Sequence, residues 1–192
     1  MRPIARIAAA IALAVLSVPA LTAADVRVRD LDDQLVDPFK APAGTKAVAF
    51  LFVSVDCPIS NRYAPEVQRL YARFAAEGIA FSLVYPNPVE PSAAIRRHIK
   101  DYSYPMRALR DPRHELVKIA GATITPEAAV FDPSGRLLYR GRIDDRYVSL
   151  GLERPVATRQ DLGEALSDII AGKPPRQATT QAVGCFIADF VQ

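Results

Sequence analysis

The sequence predicts an α/β domain with a mixed central β-sheet and helices on both faces. Three observations predict it. Apolar runs of strand length alternate with stretches of helical periodicity early in the chain, which calls for parallel strands. The turn Pro133-Ser134-Gly135 then joins two strand-like segments, which calls for an antiparallel hairpin. A further helical segment follows that hairpin. A mixed sheet covered on both faces is the simplest arrangement that accommodates all three.

Taken in order, Asp25 to Leu35 reads as a short edge strand and turn, and Asp37 to Thr45 as a lead-in containing Pro and Gly. Ala47 to Ser54 is apolar throughout most of its length and reads as the first central strand. Pro58 to Ala76 carries Tyr63, Val67, Leu70, Tyr71 and Phe74 at helical spacing, and Gly78 ends that helix. Ile79 to Tyr85 is a second central strand. A Pro86-Asn87-Pro88 turn leads to a helix over Ser92–Tyr102, with Ser92 as its cap. Met106 to Leu109 is a short strand, and Asp111-Pro112 opens a short helix that closes at Gly121. Ala128 to Asp132 and Arg136 to Arg140 form the hairpin, Gly141 to Pro155 a polar loop, and Asp161 to Ala171 the last helix. No internal repeat or low-complexity segment is present.

The N-terminus has the layout of a secretory leader: Arg2 and Arg6, an apolar run from Ile7 to Val18, a break at Pro19, and small residues around Ala23 and Ala24. The apolar run is shorter than the ~20 residues a membrane span needs. An uncleaved anchor is the alternative. The expected organisation is therefore a leader over 1–24, one domain over 25–172, and a tail over 173–192. Export to the periplasm or the medium follows, with no stable membrane association once the leader is removed. Half of the residues are apolar, enough for a core that needs no disulfide to hold it. The formal charge of +3 includes both leader arginines and no basic block, which argues against nucleic acid as a partner.

The residue with the most chemistry is Cys57, between the first central strand and the helix after Pro58. Free N–H groups and the dipole at such a junction favour a thiolate, and only the thiolate is a good nucleophile. Arg62 would add a cation, whereas Asp56 would oppose ionisation. An inert buried cysteine is the bland alternative. The one other cysteine is Cys185, near the C-terminus. His98 and His114 have no His or Cys at metal-ligand spacing and read as surface residues; no metal site is expected. The dense charges from Arg140 to Arg146 read as a solvated turn.

Several motifs resemble the thioredoxin-like superfamily. The stretch Cys57-Pro58-Ile59-Ser60 occupies the place of its Cys-x-x-Cys, with Ser60 where the second cysteine stands. Pro65 matches the family's helix-kinking proline, and Thr125-Pro126 matches its cis-proline. The runs Asp56–Pro65, Thr125–Glu127, Tyr139–Asp145 and Gly184-Cys185 together resemble the secreted redoxin, peroxiredoxin-like branch, of the alkyl hydroperoxide reductase and thiol-specific antioxidant type.

The resemblance implies an exported thiol-disulfide oxidoreductase or antioxidant peroxidase with no cofactor. Its substrate would be a protein or small-molecule disulfide, thiol or peroxide, and its reductant a thioredoxin-like partner. Cys57 would be the nucleophile. With Ser60 unable to resolve it, Cys185 would be the resolving thiol, although a purely structural disulfide, or a Cys185 packed apart from Cys57, fits the same sequence. Pro126 would face Cys57, and Thr125 would contact substrate. Set equally against the solvated turn, Arg142 or Asp144 would border the thiol. Pro58, Asn61 and Tyr63 would support the site, with Asn61 and Tyr63 donating to bound peroxide or sulfenate. The peroxiredoxin pattern has a threonine three residues before the cysteine and a proline seven before. Here those positions hold Ser54 and Phe50, which places disulfide exchange ahead of peroxide reduction. Two other functions compete: a copper(I) chaperone using both cysteines and Met106, since soft thiolates suit Cu(I), and a non-catalytic binding domain on the same fold.

Overall fold

The computed structural model describes residues 26–188; the expected leader lies outside them. A seven-stranded mixed sheet forms the centre. Its strands are β1 (Val28–Arg29), β2 (Leu35–Val36), β3 (Ala47–Phe52), β4 (Ile79–Tyr85), β5 (Arg107–Arg110), β7 (Glu127–Phe131) and β8 (Leu137–Gly141). They lie in the order β2-β1-β5-β4-β3-β7-β8. Strands β3, β4 and β5 are parallel, while β7 runs antiparallel to β3 and β8 antiparallel to β7. This is the mixed sheet that the alternation and the hairpin predict, in the thioredoxin-like order that the motif resemblance implies.

Strand β3 is buried on both faces, which explains why its Ala-Val-Ala-Phe-Leu-Phe run shows no alternation. Ala49, Leu51 and Val53 pack with Val67, Leu70, Ile95, Leu162 and Leu166 on one side. Val48, Phe50 and Phe52 pack with Leu116, Val117 and Ala120 on the other. The first face is covered by α2 (Ala64–Phe74), α3 (Ser92–Asp101) and α5 (Asp161–Ile170), and the second by α4 (Glu115–Ala120). The lead-in segment adds Phe39 edge-on to Phe50 and Phe131.

The helix expected from Pro58 to Ala76 divides into α1 (Pro58–Arg62), α2 and a 3-10 turn (Ala75–Glu77). Pro65 lacks an N–H, and its ring crowds the carbonyl of Asn61, so the helix breaks at Tyr63. Ser92 is the first helical residue of α3 rather than its cap; Pro91 holds the cap position and makes no side-chain bond. In α4 the capping falls to Asp111, whose carboxylate accepts the N–H groups of Glu115 and Val117 at 2.9 Å each.

The region read as a polar loop contains a small hairpin, β9 (Tyr147–Ser149) and β10 (Leu152–Glu153), turned through Leu150-Gly151. The described part of the tail, 173–188, also pairs with the domain. Residues 178–180 run along β8, with Arg140 N–H donating to Ala178 O at 2.9 Å and Thr180 N–H donating to Arg140 O at 3.0 Å. Cys185–Phe186 then forms β11, antiparallel to β6 (Ile124–Thr125).

Candidate active site

Cys57 is the N-cap residue of α1, in extended conformation, and Pro58 occupies the first turn. Pro58 suits that position because a first-turn N–H has no helical partner to lose. The loop from Ser54 to Cys57 leaves the end of β3 and is held from behind. Glu90, only 5% exposed, accepts the Ser54 hydroxyl at 2.7 Å and the Val55 N–H at 3.1 Å. Asn61 donates to Val55 O at 3.0 Å and meets His98 Nε2 at 2.8 Å, and His98 Nδ1 meets the Tyr85 hydroxyl at 2.8 Å. The Cys57 loop is thus fixed by a buried polar chain running back into β4 and α3.

Cys57 is 2% exposed, and its Sγ faces Cys185 Sγ at 2.6 Å. Both are free thiols. The Cys57 thiol donates to Thr125 O at 3.1 Å, and the Cys185 thiol donates to Cys57. The Thr125-Pro126 peptide is cis, as the resemblance implies. Cys185 is brought to the site by β-pairing: it sits opposite Thr125, Phe186 opposite Ile124, and Ile187 N–H donates to Thr123 O at 2.9 Å. The Thr125 hydroxyl also donates to Cys185 O at 3.4 Å.

Burial alone pushes the Cys57 thiol up, because it removes water from the charged form. The balance nevertheless falls below the ordinary thiol value. Donation from Cys185, from the Ser60 N–H and hydroxyl, and from Thr125 outweighs the desolvation. Ser60 Oγ is buried with no other partner among the described residues, so it is available to a thiolate. Cys185 moves the other way: burial raises it, and so does its proton-donating contact with Cys57. The two sulfurs are therefore shifted in opposite senses, Cys57 downward and Cys185 upward.

The remaining expected residues fall into two groups. Ser60 and Thr125 hydrogen-bond to Cys57, Pro58 follows it in the chain, and Pro126 follows Thr125 across the cis peptide. Arg62 instead pairs with Glu153 at 3.1 Å on the surface, and the groups that lower the Cys57 thiol are neutral hydrogen-bond donors. Asn61 is engaged by Val55 and His98, and the Tyr63 hydroxyl donates to Asp144 at 2.6 Å. Arg142 pairs with Asp161 at the start of α5 at 2.7 Å, and it also lines a groove of about 460 Å³ with Ile124, Tyr147, Gly184 and Phe186. The charged loop is not a solvated turn. Asp144 and Asp145 are 3% and 4% exposed, and Asp145 accepts the N–H groups of Thr158 and Arg159.

Both histidines are buried rather than on the surface. His98 belongs to the polar chain behind Cys57, and His114 donates to Pro86 O at 2.9 Å. Met106 lines a different groove with Tyr71, Gly78 and Arg107, away from the thiols.

Sequence reasoning passed over Glu90, and it gave Glu127 and Gly184 no role beyond their place in the motifs that carry the resemblance. Glu127 props the β6 edge by accepting the Thr123 and Ile124 N–H groups at 2.8 and 3.3 Å, and it pairs with Arg140 at 3.6 Å. A Cβ on Gly184 would collide with Thr125 O. The available signals were a lone acid among prolines, a Glu directly after Thr-Pro, and a glycine directly before a cysteine.

Fold and site together define a thioredoxin-like redox protein, with one sulfur at a strand-to-helix junction beside a cis-proline. The family model described as the AhpC/TSA family matches residues 19–140, and the chain belongs to that family. No curated protein matches the sequence. Among solved structures, a hypothetical protein of Sinorhizobium meliloti 1021 is 26% identical with a TM-score of 0.72, over 89% of this chain and 94% of that one. An uncharacterized conserved protein of Geobacillus kaustophilus is 23% identical with a TM-score of 0.72, over 86% and 89%. A secreted Mycobacterium tuberculosis disulfide oxidoreductase homologous to E. coli DsbE shares the fold at 14% identity and a TM-score of 0.52, over 78% and 97%.

Proposed function

We propose that this protein is an exported thiol oxidoreductase in which Cys57 is the nucleophile and Cys185 resolves it. The observation that carries the reading is the meeting of the two sulfurs across the β6–β11 pair, next to Pro126. A Cys57 thiolate attacks one sulfur of a substrate disulfide, forming a mixed disulfide and expelling the other half as a thiolate. That thiolate takes the Cys185 proton. The Cys185 thiolate then attacks Cys57 Sγ, forming the Cys57–Cys185 disulfide and releasing the second half as a thiolate, which takes a proton from water. With a peroxide, Cys57 becomes a sulfenic acid as the alcohol leaves, and Cys185 displaces water to reach the same disulfide. A dithiol protein of thioredoxin type returns both cysteines to thiols. Ser54 and Phe50 keep disulfides ahead of peroxides as substrates. Export rests on the leader-like segment over 1–24, which precedes a domain over 25–172 and a tail over 173–192.

The test is the rate at which the reduced protein reacts with a small disulfide and with hydrogen peroxide. Reaction faster than free cysteine is expected, with loss to background in Cys57→Ser. Rates no better than free cysteine would remove the enzyme reading and leave a binding domain with a structural cross-link. Copper(I) bound at one equivalent, and lost in both Cys57→Ser and Cys185→Ser, would promote a metallochaperone instead.

A further inference from the structure

We infer that His98 is a positioning residue for Cys57: through Asn61 it holds the Val55 carbonyl, and with it the turn that carries the thiol. Its donor is Nε2–H, so the neutral tautomer protonated at that nitrogen is the working form. The inference deepens the proposed function and rests on it.

The direction of the bonds follows from a backbone atom. The Val55 carbonyl can only accept, so the Asn61 group that meets it at 3.0 Å is the Nδ2 amide. Asn61 Oδ1 therefore faces His98 Nε2 at 2.8 Å. An amide oxygen also only accepts, so that ring nitrogen carries the proton. In the neutral ring Nδ1 is then the acceptor, and it takes the Tyr85 hydroxyl at 2.8 Å. Tyr85, His98, Asn61 and Val55 form one line of donors, and only one protonation state satisfies all of it. A charged ring would set a second N–H against the Tyr85 hydroxyl. Burial disfavours that charge, while Asp101 on α3 and Asp56 in the Cys57 turn act against burial. The ring is also boxed in: Tyr85 stands edge-on to it at 5.7 Å, and Tyr102 and Tyr104 pack on it at 4.8 and 5.6 Å.

Asn61 grips the turn twice. Its backbone N–H donates to Cys57 O at 3.0 Å while its side chain holds Val55 O, so the residues on either side of Asp56 are tied to α1. Val55 is held from the other side as well, its N–H donating to Glu90. An Asn61 amide with no donor on Oδ1 can rotate away from Val55. The turn then loses its placement against Cys185, Ser60 and Thr125, the donors that outweigh burial in favour of the Cys57 thiolate. His98 thus acts on the sulfur through Asn61 and touches no reacting atom.

The test is the pH profile of Cys57 alkylation in the full chain, resolved from Cys185 by peptide mass. His98→Phe keeps a ring and removes the donor, whereas His98→Gln keeps a donor and gives up the ring. The His98→Phe profile is expected to move to higher pH, with about fivefold less thiolate at neutral pH, the effect of one net hydrogen bond. His98→Gln should stay within about twofold of the parent. A residue that merely fills space predicts the reverse order, and that order, or no movement in either variant, would overturn the inference. Asn61→Ala should move the profile as far as His98→Phe, and the double variant no further; additive shifts would overturn the route through Asn61. If the variants do not fold, the ring-nitrogen NMR shifts of His98 in the parent decide: the Nε2–H tautomer is expected at neutral pH, and an Nδ1–H tautomer or a charged ring would overturn the inference. The reduced parent with 2,2′-dithiodipyridine separates the two readings. A Cys57 no faster than free cysteine would sink the proposed function, whereas a reactive Cys57 whose profile His98→Phe leaves in place would sink only this inference.

Discussion

Cys57 and Cys185 meet at one point but come from regions built in opposite ways. Cys57 follows β3, which is paired on both sides and buried on both faces. Phe50, Leu51 and Phe52 are each at most 1% exposed, and burying such a side chain stabilises by about 1.5–3 kcal/mol. Cys185 rides on a two-residue strand with a handful of backbone hydrogen bonds, each worth about 1 kcal/mol net. Removing Cys57 from its place means opening the core. Removing Cys185 costs the pairing of β11 and the packing of Val183 and Ile187, which lie partly buried against the core. Cys57 is fixed by the fold, and Cys185 is set against it by the shorter contact of β11. In the proposed cycle, a thiol that accepts a substrate and is then resolved benefits from that asymmetry.

The largest effect expected from breaking the comparison is in Cys185→Ser. The first step should persist and the second should stop, so the mixed disulfide or sulfenic acid at Cys57 accumulates and is seen by intact mass. If turnover continued unchanged, Cys185 would not be the resolving thiol.

Gly141→Ala attacks the anchor of the tail. Gly141 has a φ of +145°, and a Cβ there would meet both the hydroxyl and the carbonyl of Thr180. A loss of about 1–3 kcal/mol is expected, read by denaturant unfolding. Alkylation of Cys185 should also quicken. Loss of stability without quicker alkylation would show that the anchor does not govern β11.

Ser60→Ala sharpens the other side. It removes one donor to the thiolate, so the pH midpoint of Cys57 alkylation should rise while the fold stays intact. An unmoved midpoint would assign the lowering to Cys185 and the backbone alone.

The smallest effect concerns Glu90, whose burial pushes its carboxyl above the ordinary value despite the Ser54 and Val55 bonds. A folded value above the unfolded one means stability is full below the unfolded pKa, about 4.3, and is lost as pH rises through the folded pKa. Glu90→Gln keeps the acceptor oxygen and removes that loss, so the variant should equal or exceed the parent at neutral pH. His98 carries the opposite sign, since burial lowers it and stability falls as pH drops through its range. It is common to both proteins, so their difference isolates Glu90. A Glu90→Gln protein much weaker at pH 7 would show that the charge itself holds the Cys57 loop.

Much of this was legible because local patterns repeat local physics. The unbroken apolar run of β3, the Pro-Ser-Gly turn and the helical spacing of α2, α3 and α5 each predict the element found. Helical periodicity does not show the split at Tyr63, because it continues across the kink that Pro65 makes. The histidines were misplaced because a polar residue's burial depends on partners far along the chain: His98 is buried by Tyr85 and Asn61, and His114 by Pro86. The β9–β10 hairpin went unread because its strands are too short to show a period.

The sequence by itself determined the α/β class, the place of Cys57 at a strand-to-helix junction and the absence of a local second thiol at Ser60. These depend on neighbours within a few residues. Only the tertiary structure decided that Cys185 meets Cys57 from 128 positions away, that neutral donors rather than Arg62 favour the thiolate, and that Gly184 is where the tail can approach β6. The physical reason is the same in each case: strand pairing, burial and close approach are properties of segments brought together, and no spacing in the chain encodes which segments those are.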